Sequence, residues 1–402
     1  MAGPAPSAPA PALWLRLFLP FAAGYLLSYL FRTSNAVVGP VLAAELALPD
    51  HALGLLTSTY FVAFAAAQIP LGLLLDRYGP RRVEALLLLA AAAGAAVFAQ
   101  ADGLAGLAWG RALIGLGVSA CLMAALTAFN RSFPPERQAS LIGWVMAAGG
   151  LGAVFAAAPL EAAIGLAGWR GVMLALAVVT VAVAAAIGLL VPEQAQPAKP
   201  TPLAEQLAGV RQVMSSRAFW RYAPMFMLTV GGFMAVQGLW AARWLAEVEG
   251  LDRAAVARQL TLLNAGFLSG CLFMGFLTTA LLRRGIAEAR ILAVAACAFV
   301  GVFAAINAAA GSALGGLWVL LAFLYPLCNI AFAIVGRALP LALAGRANTA
   351  LNLVGFVGAF ALQWGLGLAV DALRAAGWDG AAAYRATFGA LLALQAASVA
   401  WV

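Results

Sequence analysis

The sequence predicts an all-α polytopic membrane protein with twelve transmembrane helices. Hydrophobic residues make up 65% of the 402 positions and charged residues only 9%, too few to coat a water-soluble globule. The apolar residues fall into runs of about 18 to 28, and about 20 helical residues cross the hydrocarbon core of a bilayer. Each run is therefore a candidate transmembrane helix.

The twelve runs form two sets of six, which a polar interval separates. The predicted segments are a disordered cytoplasmic tail at 1–13, a six-helix half at 14–191, a linker at 192–217 and a second half at 218–402. The Pro/Ala-rich start lacks the charged segment that begins a signal peptide. In the linker, Leu203, Leu207, Val210 and Val213 recur at helical spacing, so a surface amphipathic helix and a solvated linker both remain open.

The basic residues set the expected orientation. Most of the 23 Arg and Lys residues fall on the side of the predicted bundle that holds both termini. The positive-inside rule then places both termini in the cytoplasm. The expected location is a bacterial inner membrane. Because the basic residues stand between apolar runs, the net charge of +8 indicates topology and not a nucleic-acid surface. The expected partners are the lipid bilayer and a small solute, and the expected state is a monomer.

The loop between the second and third predicted helices has the sequence GLLLDRYGPRR. Its first glycine permits close helix packing, its Gly-Pro pair favours a tight turn, and its aspartate can accept hydrogen bonds from a helix N-terminus. Such a cluster joins helices at one membrane face and breaks when they separate, as a gate requires. The predicted gating residues are Gly72, Asp76, Arg77, Gly79, Arg81, Arg82 and, from the fourth helix, Arg111.

This loop resembles the signature loop of the major facilitator superfamily, with Pro80 as a departure at a position that is often basic. The fourth helix resembles the same family's pattern through Arg111, Gly115 and Gly117, and a structural and a coupling role for Arg111 both remain open. The resemblance implies two pseudo-symmetric six-helix halves and secondary transport by rocking alternating access. A weaker copy of the loop at 275–285 follows the eighth helix and supports a duplication.

A polar stripe in the first predicted helix marks a candidate substrate site. Tyr25, Ser28, Tyr29, Arg32 and Asn35 recur at three- and four-residue spacing, so they share one helix face. A charge in the bilayer core is costly, so a buried arginine is a functional candidate. It can grip a carboxylate or an inorganic oxyanion with two parallel hydrogen bonds. The alternatives are an arginine that ties the helix to backbone carbonyls and one that takes part in coupling.

Other polar residues in the apolar runs complete the predicted substrate-binding set. Each of them alone is more often an interhelical hydrogen bond than a ligand contact, so the prediction depends on the set with Arg32 at its centre. They are Tyr60, Gln68, Gln237, Trp240, Asn264, Tyr325, Asn329, Asn352 and Gln363.

Several other functions have weaker support in the sequence. Acidic residues stand near the ends of the predicted helices, which argues against export of lipophilic cations through a carboxylate relay. No pattern for an enzyme, a cofactor or a bound metal stands out, and a transporter-like sensor would need an output domain. A copper importer is the main rival, because thioethers and thiols favour monovalent copper. Its candidate ligands are Met225, Met227, Met234, Met274, Cys271 and Cys328.

The segments YLLSYLFRTSNAVVGP and MAVQGLWAARWL resemble the nitrate/nitrite or organic-anion porter branch of the same superfamily. That resemblance implies a small anionic solute. Nitrate porters are expected to carry paired arginines in the two halves, and no deep arginine in the second half balances Arg32. A bulkier organic anion therefore fits the sequence at least as well.

Overall fold

A computed structural model describes residues 11–133, 135–193, 203–308, 314–339 and 343–402. Within those ranges the chain is helical and contains no β-strand. Most of the predicted tail and most of the Pro-rich part of the linker lie outside the described residues. The rest of the linker contains a helix at Leu203–Met214, which packs against the eleventh transmembrane helix.

Twelve transmembrane helices follow one another in the described chain, and eight of them are long and apolar enough to span a membrane by length and composition alone. Their bounds are Pro11–Thr33 with Asn35–Leu46 (α1), Asp50–Tyr78 (α2), Pro80–Gln100 (α3), Leu104–Gly117 with Cys121–Ser132 (α4), Pro135–Phe155 (α5), Ala158–Leu190 (α6), Arg217–Glu247 (α7), Arg253–Arg283 (α8), Glu288–Ala308 (α9), Leu314–Arg337 (α10), Ala344–Ala375 (α11) and Gly380–Ala400 (α12). The predicted twelve-helix fold is confirmed.

The helices form two six-helix halves, α1–α6 and α7–α12, that meet along α2 with α11 and along α5 with α8. We call the end of the bundle where α1 starts and α12 ends the near end, and the opposite end the far end. Successive helices run in opposite directions, so each loop can be assigned to one of these ends.

The first and fourth helices of each half are interrupted, and α6 has a separate kink at Gly168, where φ is 66°. α1 breaks at Ser34, and α4 breaks between Gly117 and Cys121. α7 contains two π-helical segments, and α10 contains a 3-10 segment at Tyr325–Ile330. Irregular backbone at membrane depth is tolerated where it is buried in protein or lines a cavity. The repeated positions agree with the pseudo-symmetry of the two halves.

Glycines allow close contacts between helices, and three examples face backbone carbonyls. A Cβ at Gly152 of α5 would overlap the Leu26 carbonyl of α1, and one at Gly115 of α4 would overlap the Tyr60 carbonyl of α2. In the second half, a Cβ at Gly270 of α8 would overlap the Phe323 carbonyl of α10. Small residues at such contacts let helix backbones approach in a membrane, where the hydrophobic effect does not drive helices together.

We expect the substitution Gly152→Ala to destabilise the protein by about 1–3 kcal/mol, because the added methyl group meets rigid backbone. The matched control is Gly301→Ala in α9, where an added Cβ meets nothing within 4 Å. Thermal unfolding of both variants in detergent measures the difference. Equal melting temperatures for the two variants would show that the α1–α5 contact does not limit stability.

Candidate functional site

A cavity of about 430 Å³ lies between the two halves. Its lining comes from α1, α2, α4 and α5 on one side and from α7, α8, α10 and α11 on the other. Most of these residues belong to the near-end parts of their helices, so the cavity occupies the near-end half of the interface. The cavity contains seven of the predicted substrate-binding residues: Tyr25, Tyr29, Arg32, Gln68, Tyr325, Asn329 and Asn352.

Arg32 is the one charged side chain among the described residues that line the cavity. It is only 6% exposed, and its Nε has no hydrogen-bond partner among the described residues. Its guanidinium carbon lies 4.5 Å from the ring centroid of Tyr29, 5.3 Å from that of Phe64 and 5.5 Å from that of Phe356. Cation–π contacts with rings from both halves therefore hold this charge at the cavity wall.

Four of the polar side chains in the cavity already have protein partners. Ser28 donates to the Val118 carbonyl at 3.4 Å, and Ser119 donates to the Leu116 carbonyl at 2.7 Å. The Gln68 Nε2 donates to the Ser119 carbonyl at 3.2 Å, and the Tyr25 hydroxyl donates to the Met146 sulfur at 3.7 Å. The thioethers of Met123, Met234 and Met274 also line the wall.

The other six predicted binding residues lie outside the cavity lining. Five of them form interhelical hydrogen bonds through their side chains, whereas the buried amide of Gln363 has no hydrogen-bond partner among the described residues. Gln237 donates to the Asn264 oxygen at 2.8 Å, and Asn264 donates to the Ala153 carbonyl of the other half at 2.7 Å. Trp240 donates to the Gln363 carbonyl at 3.1 Å.

The other two predicted binding residues outside the cavity lining, Asn35 and Tyr60, lie in the first half. Asn35 donates to the Thr57 hydroxyl, and the Tyr60 hydroxyl donates weakly to the Ser28 carbonyl at 3.4 Å. These pairings connect α1 to α2.

Arg111 lies buried inside the first half, away from the loop that carries the other predicted gating residues. Its Nη1 donates to the Phe31 carbonyl at 2.8 Å, and its guanidinium carbon lies 5.1 Å from the Tyr60 ring centroid. Phe31 stands just before the break in α1. Arg111 therefore supports the interrupted part of that helix.

The loop between α2 and α3 turns at Gly79, whose φ of 79° is a left-handed conformation that favours glycine. Pro80 occupies the first turn of α3, where its missing N–H costs nothing. Arg81 donates through Nε to the Gly188 carbonyl at 2.9 Å, and Arg82 forms an ion pair with Glu193.

The contacts shown for this loop stay within the first half and the start of the linker. Arg77 stacks over the ring of its neighbour Tyr78 at 5.3 Å, and Gly72 belongs to α2. The side chain of Asp76 lies outside the described residues.

Sequence reasoning missed a charge cluster at the far end. Asp50, at the N-terminus of α2, has a side chain that is only 1% exposed. It accepts hydrogen bonds from Arg243 at 2.6 Å, from Arg374 at 3.0 Å and from the Tyr384 hydroxyl at 3.1 Å, all in the second half. Arg374 also pairs with Glu247 at 3.1 Å. This far-end cluster joins the two halves.

His51, next to Asp50, adds a second connection between the halves. Its backbone N–H donates to Asp371 at 2.8 Å, and its ring Nδ1 lies at the same distance from that carboxylate. The sequence showed acidic residues at the ends of predicted helices but gave no signal for partners some 320 positions apart.

A buried acid in α3 was also missed. Glu84 is 0% exposed, and neither carboxylate oxygen has a hydrogen-bond partner among the described residues. One of these oxygens fills the space that a side chain at Gly24 of α1 would occupy. Glu84 stands early in α3, which is why the sequence placed it near a membrane face.

The family model of the Major Facilitator Superfamily matches residues 21–362. This chain belongs to the Major Facilitator Superfamily. It is therefore a membrane transporter and not an enzyme, as the sequence predicted.

Two curated relatives are similar to part of the chain. A probable sulfoacetate transporter of Cupriavidus necator is 26% identical over 39% of this chain and 36% of that protein. A probable L-galactonate transporter of Escherichia coli is 28% identical over 40% of this chain and 35% of that protein. The chain spans about a third of the length of the curated relatives it matches.

Solved transporter structures share the whole fold. A bacterial homologue of the human lysosomal transporter Spinster, inward-facing and unoccupied, has a TM-score of 0.78 at 20% identity and covers 98% of this chain and 97% of that one. A D-xylose–proton symporter has a TM-score of 0.74 at 14% identity, with 96% and 97% covered. At these identities the likeness shows the fold alone.

We expect Asp50→Asn to open the far end, because it leaves Arg243 and Arg374 without their shared carboxylate. Removing one partner of a buried ion pair costs about 3–5 kcal/mol, enough to shift a two-state equilibrium. Spin labels at Ala105 of α4 and Ala376 after α11, in a background without the native cysteines, report the distance between the halves. The distance distribution should move to larger values.

The matched control is Glu45→Gln at the same end. Glu45 pairs with Arg170 and accepts a hydrogen bond from Trp169 at 2.7 Å, and all three residues belong to the first half. This variant should leave the distance unchanged. An unchanged distance in Asp50→Asn as well would mean that the far-end cluster does not hold the halves together.

Proposed function

We propose that this protein is a secondary active transporter that moves a small anion across the inner membrane by alternating access. The observation that carries the proposal is Arg32, a buried cation at the wall of a cavity between two halves. The aromatic rings around Arg32 accept no hydrogen bond from its Nε, which has no partner among the described residues. A carboxylate or another oxyanion complements such a donor set.

The named substrates of the relatives support an anion. Sulfoacetate and L-galactonate are both anionic, although each relative matches only part of this chain. The alternative in which Arg32 merely ties α1 to backbone carbonyls has less support. In the described part of the chain, the contacts shown for its guanidinium are with the rings of Tyr29, Phe64 and Phe356.

The copper importer has less support than the anion transporter. Met234, Met274 and Cys271 line the cavity, but Cys328 is not part of its lining and Met225 accepts a hydrogen bond from Thr229. Among the described residues, no group of three or more His, Cys, Asp or Glu side chains is placed to hold a metal.

The proposed orientation places the near end in the cytoplasm, as the excess of basic residues there suggests. The structure then represents an inward-facing state in which the far-end cluster closes the periplasmic side. In this scheme Gly72, Asp76, Arg77, Gly79, Arg81 and Arg82 form a cytoplasmic gate that engages the second half when the near end closes.

A thermal-shift assay on the purified protein tests the anion site. Ligand at 100 times its dissociation constant stabilises a folded protein by about 2.7 kcal/mol. We expect organic anions to raise the melting temperature of the wild type and not that of Arg32→Gln, which keeps a polar side chain without the charge. Arg290→Gln, at an exposed arginine near the start of α9, should respond like the wild type. Stabilisation by copper(I) but by no anion would overturn the proposal.

Reporter fusions test the orientation. Green fluorescent protein fused after Val402 should fluoresce, because it folds in the cytoplasm, whereas alkaline phosphatase at that position should stay inactive. The same pair inserted at Ala376, in the far-end loop between α11 and α12, should give the opposite result. Active phosphatase at Val402 would reverse the assignment of the two ends.

A further inference from the structure

The wall of the cavity restricts the kind of anion that Arg32 can bind. Arg32 is the one charged side chain among the described lining residues, so a second negative charge on a ligand would have no cation to meet it there. Moving an unpaired charge from water into a buried site is strongly unfavourable. The cavity therefore favours an anion with a single charge.

Aromatic rings form the part of the wall nearest to Arg32. Phe64 and Phe356 stack with their ring centroids 4.4 Å apart, and Tyr29 stacks on Phe267 at 5.5 Å. The ring centroid of Tyr325 lies 5.7 Å from that of Phe267. Together with Tyr29 and Phe64 of the first half, these rings of the second half continue around the cavity. A ligand whose head group reaches Arg32 must place its next atoms against these rings.

The thioethers of Met123, Met146, Met234 and Met274 form another part of the wall, beside a limited set of neutral polar groups. Methionine side chains are flexible and adapt to apolar ligands of varied shape. The hydroxyls of Tyr25, Ser28 and Ser119 and the amide of Gln68 already have protein partners. The other neutral polar groups of the described lining are the hydroxyls of Tyr29 and Tyr325 and the amides of Asn329 and Asn352. A ligand with a hydroxyl group on every carbon would lose hydrogen bonds to water on entering the cavity. The polar groups of the wall are too few to replace them all.

We infer that the substrate is a monovalent carboxylate or sulfonate with an apolar body, and not a dianion or a polyhydroxy acid. This inference rests on the proposed anion site at Arg32. It differs from what the names of the relatives suggest, since galactonate carries several hydroxyl groups and sulfoacetate carries two acidic groups. The head group lies at Arg32, and the apolar body lies along the rings and thioethers toward the near end.

Isothermal titration calorimetry on the full chain in lipid nanodiscs, with empty nanodiscs subtracted, tests the inference with matched ligands. Hexanoate, gluconate and adipate all have six carbons and differ in hydroxyl groups or in a second charge. Hexanoate should bind at least tenfold more tightly than either. It should also bind about 15-fold more tightly than butanoate, because each buried methylene contributes about a fourfold gain.

Two variants separate the head-group contact from the apolar wall. Arg32→Gln should abolish the binding of every carboxylate. Met274→Gln should reduce hexanoate affinity and flatten the chain-length dependence while butanoate binding persists. Met214→Gln, at a methionine in the linker helix outside the cavity lining, is the matched control and should change neither.

The outcomes distinguish this inference from the proposed function. Tighter binding of gluconate or adipate than of hexanoate, lost in Arg32→Gln, would overturn the inference and leave the anion site standing. Equal binding of hexanoate and hexylammonium, unchanged in Arg32→Gln, would reflect partition into an apolar space and would overturn both. Absence of binding by every anion would also overturn both.

Discussion

The hydrocarbon core of a bilayer offers no water to an unpaired backbone group, and this constraint decides where the chain can depart from a regular helix. The departures in α1, α4, α7 and α10 are all buried in the bundle or beside the cavity. At the break in α1, the Phe31 carbonyl accepts hydrogen bonds from both Arg111 and the Ser34 hydroxyl. The cavity thus lies beside irregular backbone, where protein groups can replace the missing helical hydrogen bonds.

The same solvent makes every buried charge informative, and the two best-buried charges at the interface have opposite surroundings. Asp50 accepts hydrogen bonds from two arginines and a tyrosine of the other half, so protein groups neutralise its charge. Arg32 meets aromatic rings, which hold a cation in place without neutralising it. The first arrangement stabilises one closed end of the bundle. The second leaves a positive charge at the cavity wall, and this contrast supports the proposed roles of Asp50 in closure and of Arg32 in binding.

The sequence predicted the features that depend on distance along one helix. Bilayer thickness fixes the length of an apolar run, so twelve helices could be counted, and helical periodicity placed Tyr25, Tyr29 and Arg32 on one face. Features that depend on packing between helices could not be predicted from the sequence. Gln237 and Asn264 have the composition of ligand groups, yet they bond each other and the Ala153 carbonyl. The partners of Asp50 are likewise invisible without the fold, because they follow it by about 190 to 330 positions.

Glu84 shows why burial alone does not make an acidic residue part of a transport pathway. Its carboxyl group lies against Gly24, within the first half, and it does not line the cavity. The proposed rocking motion would move the two halves as bodies, so groups inside one half would keep their neighbours while groups at the interface would exchange them. Arg32 and the far-end cluster touch both halves and must change surroundings during such a motion. Glu84 keeps the same surroundings throughout, which favours a structural role in the first half over a role in coupling.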